Sequence, residues 1–332
     1  VQLIMRTMDK RFKKSENGLI AHIYEHISVD HVENYLLNKG FFDSVDFRAW
    51  GSTYDETLGN TFEYYDEKVY EEIKKAYLAF DKTTIPYEDI KWAAKEIAIE
   101  YRRPLIKISR SITKEIDKLH QIPWQDIEEL PAIRGTYSTS ARTVYSTPNI
   151  YYGNENTNYF NRITVKIEIK DTLYKNCLEK KALSVLLIQI INMNLIKHLR
   201  HDLYILYDNA GSWDNENNTI NHKTNFSFLK TNRPSQEDFQ KTCNDFLSHL
   251  INDDNKEEYS PFVLRMKHLL KEHYKNFENF YFGLRKLSDI TDGVLIGPKG
   301  WNSVADEKII KELLLGVTIS CEYGNNLISG RD

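Results

Sequence analysis

Two histidines and a glutamate stand together in Gly18-Leu-Ile-Ala-His-Ile-Tyr-Glu-His-Ile-Ser, with His22 and His26 four residues apart and Glu25 beside the second. On a helix, positions four apart leave the same face, so both imidazoles can share one metal ion. Glu25 points close to the same side, where a carboxylate can move protons. Two histidines leave a catalytic metal site incomplete, because such sites use three protein ligands and keep one position open. The rest of the chain must supply a further ligand and a place for a substrate.

Asp89, Glu96 and Glu100 lie at relative positions 0, 7 and 11 of Asp89-Ile-Lys-Trp-Ala-Ala-Lys-Glu-Ile-Ala-Ile-Glu and share one helical face. Thr83-Thr-Ile-Pro86 marks the start of that helix, and Pro104 interrupts it. Ala93, Ala94 and Ala98 let it pack closely against another element. A solvated acidic stripe is the plain alternative.

Composition bounds the partners. The chain has 332 residues with 41% hydrophobic and 12% aromatic content, enough for two buried cores. A net charge of −4 without a basic stripe gives no case for nucleic acid. Cys177, Cys243 and Cys321 are far apart and odd in number, and read as reduced, buried thiols of a cytoplasmic protein. No signal peptide is visible, although the first residue is Val1 and a leader removed earlier fits equally. The longest apolar run, Ala182 to Ile196, is interrupted by Gln189, Asn192 and Asn194 and reads as too short and polar to span a bilayer.

Both halves read as strand, helix, strands, helices. In the first, Val1 to Arg6 is a strand, Ile20 onward a helix and Asp30 to Lys39 a second helix closed by Gly40. A strand pair follows at 41–54 and 58–65, then helices at 67–80, from 86 to about 103, and on to Leu119. In the second, strands are read at 162–170, 203–207 and 223–228, and helices at 178–200, 234–251, 261–287 and 305–314. The stretch 131–158, rich in Pro, Ser, Thr and Asn, is the linker between domains 1–130 and 159–332.

With its spaced acidic helix, the histidine motif resembles the pitrilysin and insulin-degrading-enzyme family of zinc peptidases, especially the short processing-peptidase branch. That family pairs H-x-x-E-H with a zinc-binding glutamate some seventy-odd residues later and a supporting acid one heptad before it. The resemblance therefore implies Zn2+ on His22, His26 and Glu96, with Glu100 as the alternative third ligand. It makes Glu25 the general base and Asp89 the supporting acid, where the family usually has glutamate.

A second match is His198-Leu-Arg200-His-Asp-Leu-Tyr-Ile-Leu-Tyr207. The family has an arginine ending a helix and a tyrosine seven residues on, both holding the substrate carbonyl, so Arg200 and Tyr207 take those roles. Phe47-Arg-Ala49-Trp-Gly-Ser52-Thr53 resembles its substrate-binding edge strand, in which Ala49, Ser52 and Thr53 meet the peptide.

The fold implied is α+β: two related α/β-sandwich domains, each a mostly antiparallel sheet packed with helices. The function implied is a zinc-dependent endopeptidase, working as a homodimer or with a related subunit. A non-catalytic, peptide-binding subunit of such a pair is the rival. His268 and His273, five apart, diverge around a helix and are set aside as ligands.

Overall fold

A computed structural model describes residues 3–9, 18–53, 58–64, 66–80, 84–100, 108–121, 126–130, 160–203, 206–207, 212–214, 219–229, 234–252, 258–272 and 296–323. The chain divides into two compact units, Val1–Asn156 and Thr157–Asp332. The linker expected at 131–158 lies outside the described residues. Both units combine helices with small antiparallel sheets, an α+β architecture.

In the first unit, strands β1 (Leu3–Asp9), β2 (Phe47–Thr53), β3 (Leu58–Tyr64) and β4 (Asp126–Leu130) form one sheet in the order β2-β3-β1-β4. Every neighbouring pair is antiparallel. Its helices are α1 (Gly18–Asn38), α2 (Glu67–Phe80), α3 (Tyr87–Glu100) and α4 (Arg110–His120).

Helix α1 is the centre of this unit. It packs against β2, β3, α2, α3 and α4, so its apolar residues point in several directions instead of forming one stripe. Ile20, Ile23, Tyr24 and Ile27 meet Phe80, Ile90, Ala93, Ala94, Ile97 and Ile116. Further along, Val32 and Leu36 meet Phe47, Phe62, Val69, Ile73 and Tyr77. The helix is continuous where a break was expected before Asp30. Ser28, just before that expected break, donates its hydroxyl to the Glu25 carbonyl at 2.9 Å from within the helix. Gly40, at φ 77°, then turns the chain out, a conformation that side chains rarely tolerate.

In the second unit, β5 (Phe160–Ile169), β6 (Leu206–Tyr207), β7 (Ser212–Asp214), β8 (Asn221–Leu229) and β9 (Val317–Tyr323) form a sheet ordered β6-β8-β5-β9, with β7 also on β8. Its helices are α5 (Leu178–Leu203), α6 (Gln236–Ile251), α7 (Pro261–Glu272), α8 (Pro298–Val304) and α9 (Glu307–Leu315).

Within α5, Leu178–Leu199 is long and apolar enough to cross a membrane, contrary to the sequence expectation, and 72% of its apolar window is buried inside the protein. The helix outruns the apolar run because its polar residues find partners at helix or sheet positions. Asn194 donates to the Ile190 carbonyl at 2.9 Å, and Asn192 accepts from Thr224 of β8 at 2.8 Å.

Helix α6 closes the outer edge of β9. The Gln240 side chain donates to the Ile319 carbonyl at 2.6 Å and accepts from the Cys321 amide at 3.1 Å, while Gln236 donates to the Cys321 carbonyl at 3.0 Å. These are the backbone groups that a further strand would otherwise take. The three cysteines are free thiols. Far apart in sequence, Cys243 of α6 and Cys321 of β9 are nonetheless neighbours, with sulfurs 3.7 Å apart.

Candidate functional site

The middle of α1 carries the site, and four elements surround it. His22 and His26 leave the same face as the spacing requires, their Nε2 atoms 3.3 Å apart and their rings inclined at 57°. Two nitrogen ligands of one tetrahedral Zn2+, each at about 2.0–2.1 Å, stand roughly 3.3–3.4 Å apart. The histidine pair therefore has the separation that a shared ion demands.

Glu96 of α3 fixes one ring. The His26 Nδ1–H donates to Glu96 Oε2 at 2.8 Å, and the carboxylate is 2% exposed. An ionised carboxylate can only accept, so this bond assigns a proton to Nδ1; in the neutral imidazole that leaves the lone pair on Nε2, facing His22. A carboxylate behind a histidine is the usual support for a metal-binding imidazole, setting its tautomer and raising its basicity. Here Glu96 contacts the far nitrogen of His26. Glu100, one turn later on α3, has a side chain outside the described residues. Asp89 lies exposed in the first turn of the same helix. Partial desolvation against the helix, with the Glu88 charge adding to it, pushes its carboxyl above the ordinary value.

Glu25 is buried with its carboxylate toward the histidines, its Oε2 3.8 Å from His22 Nε2. Strand β2 holds it there. Thr53 donates its hydroxyl to Glu25 Oε2 at 2.7 Å. Gly51 leaves the room the carboxylate occupies: a Cβ at that position would stand 2.0 Å from Glu25 Oε1 and 2.4 Å from its Cγ. Ala49 shares the parity of Gly51 and Thr53 along the strand and packs against the α1–α2 core. Ser52 falls on the opposite parity, and its side chain is outside the described residues.

Beneath the site runs a buried polar chain. Asn60 of β3 donates to the Ser28 hydroxyl and to Tyr77 of α2, both at 2.6 Å, and Ser28 in turn binds the Glu25 carbonyl. These residues tie the glutamate's turn of helix to the sheet, and sequence reasoning passed over them. Gly51 was also passed over, although an isolated glycine inside a strand pattern signals a close approach.

In the other unit, Arg200 lies near the end of α5 and Tyr207 in β6, opposite Phe226 of β8. Their side chains are outside the described residues. His268 is on α7, and His273 is outside the described residues. Among the described residues no cluster of three or more His, Cys, Asp or Glu is arranged to hold a metal ion, so the donors brought together are the two histidines.

No family model matches the chain. No curated protein matches it either. Similar solved structures include a protease from Helicobacter pylori, at 9% identity and a TM-score of 0.31, covering 96% of this chain and 93% of that one. Pitrilysin is similar at 11% identity and a TM-score of 0.29, and the chain spans 42% of its length. A peptidase M16 inactive domain from Pseudomonas fluorescens gives 8% identity, a TM-score of 0.29 and 92% coverage of that chain. Those proteins include both proteases and an inactive domain. With each of these TM-scores below 0.5, the weight of any functional reading falls on the side chains themselves.

Proposed function

We propose that this chain is a zinc-dependent endopeptidase, with His22 and His26 as metal ligands and Glu25 as the general base. The observation that carries the reading is the pair of Nε2 atoms 3.3 Å apart, the His26 ring oriented by Glu96, with the Glu25 carboxylate oxygen 3.8 Å from His22 Nε2. The donor set suits Zn2+, which takes imidazole and carboxylate ligands. With the Glu96 carboxylate on the far side of His26, this reading takes Glu100, the alternative third ligand, in preference to Glu96.

Zn2+ bound there would supply Lewis acidity, acidifying a water molecule and polarising the scissile carbonyl. The remaining work belongs to the protein. Glu25 accepts the water's proton and returns it to the leaving amine. Thr53 and Gly51 keep its carboxylate aimed, and Glu96 keeps His26 in its metal-binding tautomer. The outer edge of β2 has no strand partner among the described residues, which suits an extended peptide added along it beside Glu25. Arg200 and Tyr207 take the oxyanion or a neighbouring carbonyl in this reading.

The test combines metal content with cleavage of a mixture of quenched peptides. Glu25→Gln is expected to keep zinc and lose at least about a thousandfold in turnover, within the range for general-base catalysis and electrostatic stabilisation together. His26→Ala and Glu100→Gln are expected to lose the metal, whereas Glu96→Gln retains it with weakened affinity, by about 10–100-fold. Turnover that survives Glu25→Gln sinks the base. Peptide binding without any turnover by the zinc-loaded wild type favours the rival, a non-catalytic subunit.

A further inference from the structure

The buried thiol pair in the second unit offers a site of covalent chemistry unconnected with the histidines. Cys243 projects from α6 and Cys321 from β9, and their sulfurs stand 3.7 Å apart at 0% and 4% exposure. The two elements are already held in register by the Gln236 and Gln240 hydrogen bonds to the β9 backbone. A disulfide needs its sulfurs about 2.0 Å apart. Closing the remaining distance takes a small movement of two side chains whose backbones are pinned.

We infer that Cys243 and Cys321 are an oxidisable pair that closes into a disulfide within the second unit, leaving Cys177 as the free thiol. With a small-molecule disulfide as oxidant, the thiolate of one cysteine attacks it, forming a mixed disulfide and releasing one thiol. The second cysteine, after losing its proton, attacks the protein sulfur of that mixed disulfide and releases the second thiol. Two protein thiols become one disulfide while one oxidant disulfide becomes two thiols, so atoms and electrons balance.

Two features set the rate. Both sulfurs are shielded, and the hydrogen bond to Cys321, together with burial, pushes the Cys243 thiol well above its ordinary value. Closure in the folded protein is therefore slow at neutral pH and accelerates wherever α6 lifts from β9. Once formed, the bond joins α6 to the last strand of the sheet and encloses the chain between them. The unfolded state loses freedom in proportion to the logarithm of that long loop.

The experiment starts from protein purified in reductant, then incubated with oxidised glutathione at pH 8 with and without sub-denaturing urea. Thiols titrated in guanidinium fall from three to one, intact mass falls by two hydrogen atoms, and peptide mapping joins the Cys243 and Cys321 peptides. Urea speeds the reaction, and Cys177→Ser leaves it intact. The thermal midpoint of the oxidised second unit rises by on the order of 10 °C. Three persistent thiols, stable glutathione adducts on single cysteines, or a bridge that includes Cys177 would each overturn the assignment. Cys243→Ala, which keeps a small apolar side chain in the core, must abolish the bridge.

Discussion

Strands β2 and β9 are both sheet edges with a helix packed beside them, and the two helices treat them differently. At β9, α6 extends Gln236 and Gln240 to the outward backbone groups of Ile319 and Cys321, and the edge is closed. At β2, α1 extends Glu25 to the strand, where it meets the Gly51 position and the Thr53 hydroxyl without occupying the backbone edge. The amide side chains complete a ladder, whereas the Glu25 carboxylate is held by the Thr53 hydroxyl and faces the histidines. The comparison teaches that helix-on-edge packing is a neutral frame. One or two side chains decide whether it becomes structure or chemistry.

Gly51→Val breaks the open edge most severely. The added side chain overlaps the carboxylate, so peptide cleavage should fall by more than about a hundredfold, and overpacking should destabilise the unit by about 1–3 kcal/mol. Activity and urea unfolding together separate the two effects.

Gln240→Leu attacks the closed edge. It strands the Ile319 carbonyl and the Cys321 amide, at about 1–3 kcal/mol for each group left without a partner. Hydrogen exchange at Cys321 should rise while cleavage is unchanged. Unaltered exchange would mean that the glutamine contributes nothing to closing the strand.

Thr53→Val has a smaller effect. It removes one charge-assisted hydrogen bond, roughly 1.5–3 kcal/mol, from Glu25. Turnover should fall by on the order of tenfold with peptide KM little changed. A change confined to KM would place Thr53 on the substrate instead.

The mildest effect concerns pH. His31 sits beside the Phe80 ring in the first unit, and burial, then the nearby His120, lowers its pKa below the ordinary 6.5. The unfolded chain thus takes a proton that the folded one resists. Stability is full above about 6.5 and declines as pH falls below it. Regional hydrogen exchange at pH 7.0 and 5.5 should show the first unit loosening more than the second, and His31→Gln should remove much of that difference.

The reach of sequence reasoning varied with the kind of signal. Helix α2 was legible because Val69, Ile73, Ala76, Tyr77 and Phe80 repeat at helical spacing and bury as one face. The closeness of His22, Glu25 and His26 was legible because helical geometry is local. The Glu96 contact with His26 crosses from α3 to α1; spacing placed Asp89, Glu96 and Glu100 on one helical face, and only the family resemblance singled out Glu96.

Helix α1 was read as two, the second starting at Asp30, whereas packing against β2, β3, α2, α3 and α4 carries it through as one. Strand β4, Asp-Ile-Glu-Glu-Leu, lacks an alternating apolar pattern and takes its conformation from pairing with β1. Strand β9 does alternate, with Val317, Ile319 and Cys321 buried, so its signal was present and was passed over.

Helix α5 has a consequence for how the protein is made. Its neighbours β5, β6, β8, α6 and α8 cover it, yet all except β5 are synthesised after it. Until those later elements have left the ribosome, the nascent chain presents a helix with the length and apolar character of a membrane span. The order of translation thus creates an interval in which this apolar segment is uncovered, which β6, β8 and α6 shorten and α8 ends.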